Sequence, residues 1–162
     1  MNGVNSGRRR YLIISPCRDE QRFCRRTLDA VTRQTVLPAK WIIADGSTDG
    51  TLEILREYAS VHDFIEVQHE DEEHDRWLGV GVINAFNRAL ATVDLDEFDY
   101  ICKLDLDLDF PSDYFELLME RMEQDPLLGS CSGKPYFRHP FTGALVSEKC
   151  GDETSVGMSK FY

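Results

Sequence analysis

Trp41-Ile42-Ile43-Ala44-Asp45-Gly46-Ser47-Thr48-Asp49-Gly50-Thr51 is the stretch that decides the fold. Four apolar residues bounded by an acid and a glycine have the length and composition of a buried strand. The polar run that follows is turn chemistry, with Gly for unusual dihedrals and Ser, Thr and Asp as caps. Asp49 is the expected N-cap of a helix that carries Leu52, Leu55 and Ala59 on one face. A strand that passes through a tight polar turn into a helix is half of a βαβ unit.

The same alternation repeats on both sides. Tyr11 to Ile14 is a strand ended by Ser15-Pro16, and a helix from Glu20 to Gln34 sets Cys24, Leu28 and Val31 on one face. Phe64 to Val67 is a third strand, and His69 to Asp75 a charged loop. Arg76-Trp77-Leu78-Gly79-Val80-Gly81 leads into a periodic helix bearing Val82, Ile83, Phe86, Ala89, Leu90 and Val93. Tyr100 to Leu104 is another strand. Ser112 or Asp113 caps a helix with Phe115, Leu118 and Met122 inward, and Pro135 to Lys149 reads as a hairpin or a pair of loops turning at Thr142-Gly143. Strands alternating with helices define an α/β protein with a mostly parallel sheet flanked by helices. Residues 1–10 are expected to be a disordered tail and 11–162 a single domain.

Charge narrows the partners. Eighteen Lys and Arg stand against 29 Asp and Glu, a net charge of −11, which argues against a nucleic-acid binder, since such proteins need surplus cations to replace phosphate counterions. A nucleotide remains compatible if a metal and a few local basic residues supply the positive charge. Five cysteines, odd in number and never in a CxxC pattern, read as free thiols in a reducing, cytoplasmic setting. No apolar run is long enough to span a bilayer, so membrane association is expected only through segments outside this sequence.

Ligands of open α/β sheets bind beyond the carboxyl ends of the strands, and three polar clusters fall at such ends: Pro16 to Glu20, Asp45 to Gly50, and Asp105 to Asp109. Strand alternation would turn Asp105, Asp107 and Asp109 one way and Leu106 and Leu108 the other. Carboxylates sharing a face repel unless a cation or buried donors hold them. Mg²⁺ or Mn²⁺, retained by one or two carboxylates plus phosphate oxygens and water, meets that need; a solvated acidic strand end is the plain alternative. A calcium loop is rejected, because Phe110 occupies the position of its required glycine. Arg76 with Gly79 before a helix is a possible phosphate approach or a packing turn. His62, His69, His74 and His139 show no metal-ligand spacing and read as surface residues.

Taken together, these residues resemble the inverting family-2-type glycosyltransferases of the GT-A, Rossmann-like fold. Pro16-Cys17-Arg18-Asp19-Glu20 stands in place of that family's Pro-x-x-Asn-Glu, and Asp45 to Thr51 is like its Asp-Gly-Ser-Thr-Asp-Gly-Thr. A glycine-containing stretch runs into Asn84, and Leu104-Asp105-Leu106-Asp107 is like its Leu-Asp-x-Asp. The resemblance implies a nucleotide-sugar donor, UDP- or GDP-type, held by Pro16, Cys17, Arg18, Asp19, Glu20, Asp45, Ser47, Arg76, Gly79, Asn84 and Asp105. Asp45 would meet the base, and Asp105 and Asp107 would hold Mg²⁺ or Mn²⁺ against the diphosphate. It implies transfer of the sugar, with inversion, to a glycan, lipid or other hydroxyl acceptor. Asp19 replaces the usual Asn, and Ala44 replaces the first acid of a usual pair, so base selectivity is expected to differ from the common uridine preference.

No motif after Asp107 supplies the family's acidic general base. Glu148, Asp152 and Glu153 are the late carboxylates, and the base is expected beyond Tyr162, the chain being a donor-binding excerpt. Two other readings stay open: a non-catalytic binding domain, and a sugar-phosphate nucleotidyltransferase. The second wants a Gly-rich, Arg-containing loop after the first strand, which Ser15-Pro16-Cys17-Arg18 does not provide.

Overall fold

A computed structural model of the chain describes residues 9–70, 80–148, 151 and 155–162. Seven strands and four α-helices follow in the order β1 (Tyr11–Cys17), α1 (Cys24–Thr32), β2 (Lys40–Asp45), α2 (Thr51–Ala59), β3 (Ile65–His69), α3 (Val80–Leu90), β4 (Tyr100–Leu104), α4 (Tyr114–Gln124), β5 (Tyr136–Arg138), β6 (Leu145–Ser147) and β7 (Ser159–Phe161). The main sheet has the order β3-β2-β1-β4-β7. Its first four strands are parallel, and β7 runs antiparallel to β4. This is the expected mostly parallel α/β sheet, flanked by helices and of GT-A, Rossmann-like type.

Because helices cover both faces, the central strands are apolar on both sides. On one face Tyr11, Ile13, Trp41, Ile43, Cys102 and Leu104 pack with Leu28, Val31, Leu55, Phe115 and Met119. On the other, Leu12, Ile14 and Ile42 meet Ala89, with Phe86, Leu90 and Val93 beside them. The buried indole of Trp41 keeps a partner, donating to Ser15 Oγ at 2.9 Å.

Several boundaries differ from expectation for identifiable reasons. β1 does not stop at Ser15-Pro16 but pairs with β2 as far as Cys17↔Asp45. Its ladder with β4 ends at Ile14↔Lys103, so the missing N–H of Pro16 interrupts nothing on that side. β3 runs on through the polar Gln68 and His69, past the apolar residues that mark it in the sequence. Asp105 to Asp109 lie beyond β4, so no strand pleat sets their direction. β7 has no counterpart among the expected strands: three residues are too few to show a period, yet Phe161 stacks among Tyr11, Tyr100 and Phe115 with ring centroids 5.1–6.3 Å apart. Arg9 and Arg10, assigned to the tail, are tied down: Arg9 donates twice to Glu123 at 2.8 Å, and Arg10 N donates to Asp99 at 2.9 Å. Of the hairpin and the loop pair, the hairpin forms, from β5 and β6, with Gly143 at φ 69° in its turn.

Candidate functional site

The chain reverses direction across the sheet between β1 and β4: β2 and β3 extend one way from β1, and β4 lies on its other side. At that switch point loops diverge and leave a crevice. A cleft of about 680 Å³ opens there, and Pro16, Cys17, Arg18, Asp19, Glu20, Asp45, Asp105 and Asp107 all line it. Ser47 is buried behind the wall, and Asn84 sits on α3 outside the lining. Arg76 and Gly79 lie outside the described residues.

Two loops of this wall are stitched together by side chains. Asp19 is the only described non-glycine residue at positive φ, 56°, a backbone region that Asn and Asp tolerate better than other residues do. The turn lets Asp19 Oδ1 accept from Thr48 N at 2.7 Å while its own N–H donates to Ser47 Oγ at 2.8 Å. Gln21 N donates to Asp49 Oδ2 at 3.4 Å, and Asp49 Oδ1 accepts from Thr51 N at 3.0 Å; the N-cap of α2 is Gly50, so Asp49 stands one residue before the position expected for it. Gly46 and Gly50 do not adopt the unusual dihedrals expected; among the described glycines only Gly143 has positive φ.

Asp45 is wholly buried. Its Oδ1 accepts from Ser47 Oγ at 2.5 Å and Ser47 N at 3.2 Å, and its Oδ2 lies 2.7 Å from His69 Nδ1. Both oxygens are thus engaged inside the protein. His69, a surface residue by its place in the sequence, is mostly buried and bound to this carboxylate; its spacing carries no metal pattern, and only the pairing of β2 with β3 brings the two together.

The opposite end is acidic. Asp105 pairs with Lys103 Nζ. Desolvation raises the Asp105 carboxyl above its ordinary value; Lys103 works against that rise and Asp107 adds to it. Glu20 is also raised, chiefly by desolvation and then by Asp107 and Asp105, so three carboxylates feel one another here. Asp109 does not line the cleft. The segment is held from α1: Thr27 Oγ1 donates to Leu108 O at 2.6 Å and accepts from Leu108 N at 2.9 Å. Gln34 donates to Pro111 O at 2.8 Å and accepts from Phe115 N at 3.2 Å.

Among the described residues no group of three or more His, Cys, Asp or Glu side chains is arranged to hold a metal alone. Two carboxylates in a site of excess negative charge still suit an ion that takes its remaining ligands from phosphate and water. Sequence reasoning singled out Ala44 but missed the rest of the cleft's other wall, which includes Gln68, Glu70, Val82, Ala85 and Arg88. The signal was present: Gln68-His69-Glu70 is a fourth polar cluster on the same sheet edge, hidden because the apolar run ends two residues before the strand does.

A mostly parallel sheet with a ligand-sized cleft at its switch point defines an α/β protein of the GT-A, Rossmann-like type. Residues 12–143 match Glycosyl transferase family 2, and the chain belongs to that family. It is 31% identical over 98 residues to poly-beta-1,6-N-acetyl-D-glucosamine synthase of Staphylococcus aureus, covering 60% of this chain and 21% of the relative. It is 32% identical over 89 residues to glycosyltransferase AglE of Haloferax volcanii, covering 52% and 29%. Among solved structures it is similar to mannosyltransferase PcManGT from Pyrobaculum calidifontis in complex with GDP-Man and Mn²⁺, with TM-score 0.64, 23% identity, and 80% and 37% coverage. S. aureus TarS 1–349 in complex with UDP-GlcNAc gives TM-score 0.57 and 16% identity, covering 71% of this chain and 31% of that one. The chain thus spans between about a fifth and two fifths of the length of these proteins. No helix among the described residues is long and apolar enough to cross a membrane.

Proposed function

We propose that this domain binds the nucleotide-sugar donor of an inverting glycosyltransferase, with a divalent Mg²⁺ or Mn²⁺ at Asp105 and Asp107. The observation that carries this reading is the cleft at the β1–β4 switch point, with Glu20, Asp105 and Asp107 crowded at one end and a neutral to mixed wall at the other. Arg18 lines the same cleft and supplies a cation for a diphosphate. A metal bound there would neutralise charge on the departing diphosphate. Thr27 and Gln34 keep the acidic loop in place, and Asp19 and Ser47 keep the facing loops in register, so the donor meets a preformed surface.

The acceptor, a glycan, lipid or other hydroxyl compound, and the base that deprotonates it are not assigned to residues of this cleft. Glu148 is exposed at the end of the β5–β6 hairpin and does not line the cleft, and Asp152 and Glu153 lie outside the described residues. Calorimetric titration of UDP and GDP with and without Mn²⁺ tests the reading. Affinity should rise with the metal, and Asp107→Ala should lose that rise at an unchanged melting temperature, because its side chain is exposed and packs little. Equal affinity with and without metal would remove the role given to Asp105 and Asp107.

A further inference from the structure

β5 and β6 form a two-stranded sheet of their own, separate from the main one. Successive strand residues point to opposite faces, so Tyr136 and Phe137 lie on opposite sides of the hairpin, and both are more than half exposed. Leu145 and Val146 are exposed on β6 in the same way, and at the tip Phe141 is 92% exposed. A lone two-stranded hairpin is marginal in water, and this one turns apolar side chains outward on both faces. The stretch that carries it leaves the main sheet at Cys131, bridged to Phe161, and rejoins it at Met158, whose carbonyl accepts from Asp105 N at 2.8 Å. It therefore departs from the edge of the sheet at which the cleft opens.

Two features of the tip decide what covers it. The first is that the turn is closed on itself. His139 N–H donates to Ala144 O and Gly143 N–H to His139 O, each at 2.9 Å. Phe141 N–H donates to His139 Nδ1 at 3.3 Å and Ala144 N–H to Thr142 Oγ1 at 3.4 Å, while Pro140 has no N–H to satisfy. Backbone donors already engaged lose little on leaving water, so Phe141 can enter an apolar layer with its turn intact. The second is charge. From Lys134 to Ser147 the chain holds Lys134 and Arg138 and no acid, although its net charge is −11. Arg138 folds back over the turn, Nη1 donating to Gly143 O at 3.3 Å, so its charge sits with the tip. Glu148, at the base of the hairpin, is the next acid. Charges farther than about 8 Å are largely screened at physiological salt, which leaves the local cations to set the sign met by a surface that the tip touches.

The geometry points to the β5–β6 hairpin as a docking element for an anionic lipid surface, with Phe141 in the headgroup layer and Arg138 and Lys134 against the lipid phosphates. Aromatic rings favour that layer, and each Lys or Arg near it adds attraction to anionic headgroups. A stable protein partner needs about 800 Å² on each side and a complementary shape, more than a tip of a few residues presents. A lipid layer needs neither. Docking by this tip sets the cleft-bearing edge of the sheet toward the bilayer. It also gives the chain a membrane contact of its own, where the sequence placed such contact only in segments outside it.

The test is co-sedimentation of the chain with phosphatidylcholine vesicles that contain or lack phosphatidylglycerol. EDTA is present, so that no divalent ion bridges acidic side chains to the lipid. The chain should pellet with the anionic vesicles, stay in solution with the neutral ones, and be released by salt. Phe141→Ser should abolish pelleting, and Arg138→Gln should lower the partition coefficient about fivefold, the factor for one cation at such a surface. Both side chains are exposed, so circular dichroism and melting temperature should match the native protein. Equal partition onto neutral and anionic vesicles, or pelleting that survives Phe141→Ser, overturns the proposal. Failure to pellet with either vesicle also overturns it, and self-association lost in Phe141→Ser would then make the tip an interface between copies. Neither result bears on donor binding, whose titrations contain no lipid.

Discussion

Asp19 pays for its position in backbone strain and returns it in hydrogen bonds. At φ 56° it sits where β-carbon crowding disfavours most side chains, and its carboxylate then closes the gap to Thr48. Asp19→Asn keeps an acceptor and tolerates the same backbone, so its urea midpoint should match the native one. Asp19→Ala keeps the strain and loses the acceptor, and should cost about 1–2 kcal/mol. Equal midpoints for the two variants would show that the contact contributes nothing. Asp45 invites a comparable test. Asp45→Asn cannot satisfy both Ser47 and His69 as acceptor, and leaving buried groups mismatched costs about 1–3 kcal/mol. Its melting temperature should fall while the order of preference among nucleotides stays the same; a changed order at an unchanged melting temperature would return base contact to Asp45 itself.

At the scale of elements, α1 does more than cover the sheet. Thr27, one of its buried residues, satisfies both backbone groups of Leu108 and so sets the path of the acidic loop after β4. Thr27→Val preserves shape but orphans that N–H and C=O, which should lower stability by about 1–3 kcal/mol. It should also weaken Mn²⁺-dependent nucleotide binding, although Thr27 is outside the cleft lining. Unaltered metal dependence in a destabilised variant would show that the loop holds its course without α1. The short strand β7 contributes through two buried side chains: Phe161 fills the space between Tyr11, Tyr100 and Phe115, and the Ser159 hydroxyl lies 2.9 Å from that of Tyr114.

Across the whole molecule, the two cleft carboxylates that burial raises, Glu20 and Asp105, oppose stability while ionised. Burial raises Glu20 above its ordinary 4.5, and Asp107 and Asp105 raise it further. A carboxyl that takes up a proton more readily folded than unfolded costs stability while ionised, and that cost is relieved as pH falls through its folded value. Glu20→Gln should therefore melt higher than the native protein at pH 7 to 8. The advantage should shrink as pH drops through the raised carboxylate range, when the native Glu20 also becomes neutral. A difference constant across pH would mean that Glu20 acts through packing instead. Retaining such a group at a net charge of −11 is the kind of stability sacrificed at binding sites.

The local periods of the sequence by themselves determined the α/β class, the four helices, the four parallel strands and the turn at Thr142-Gly143. Each of these is read from neighbours a few residues apart, where apolar spacing and turn residues act directly. The same applies to the lining residues Pro16 to Glu20, Asp45, Asp105 and Asp107, because a polar cluster at a strand's carboxyl end reaches the ligand edge whatever the partner strands are. Only the tertiary structure decided that His69 meets Asp45, that Glu70 and Arg88 form the far wall, that Thr27 holds Leu108, and that β7 closes the sheet beside β4. These contacts join residues 18 to 81 positions apart. Nothing local distinguishes such a partner from a solvated side chain until strand order brings the two within hydrogen-bond reach.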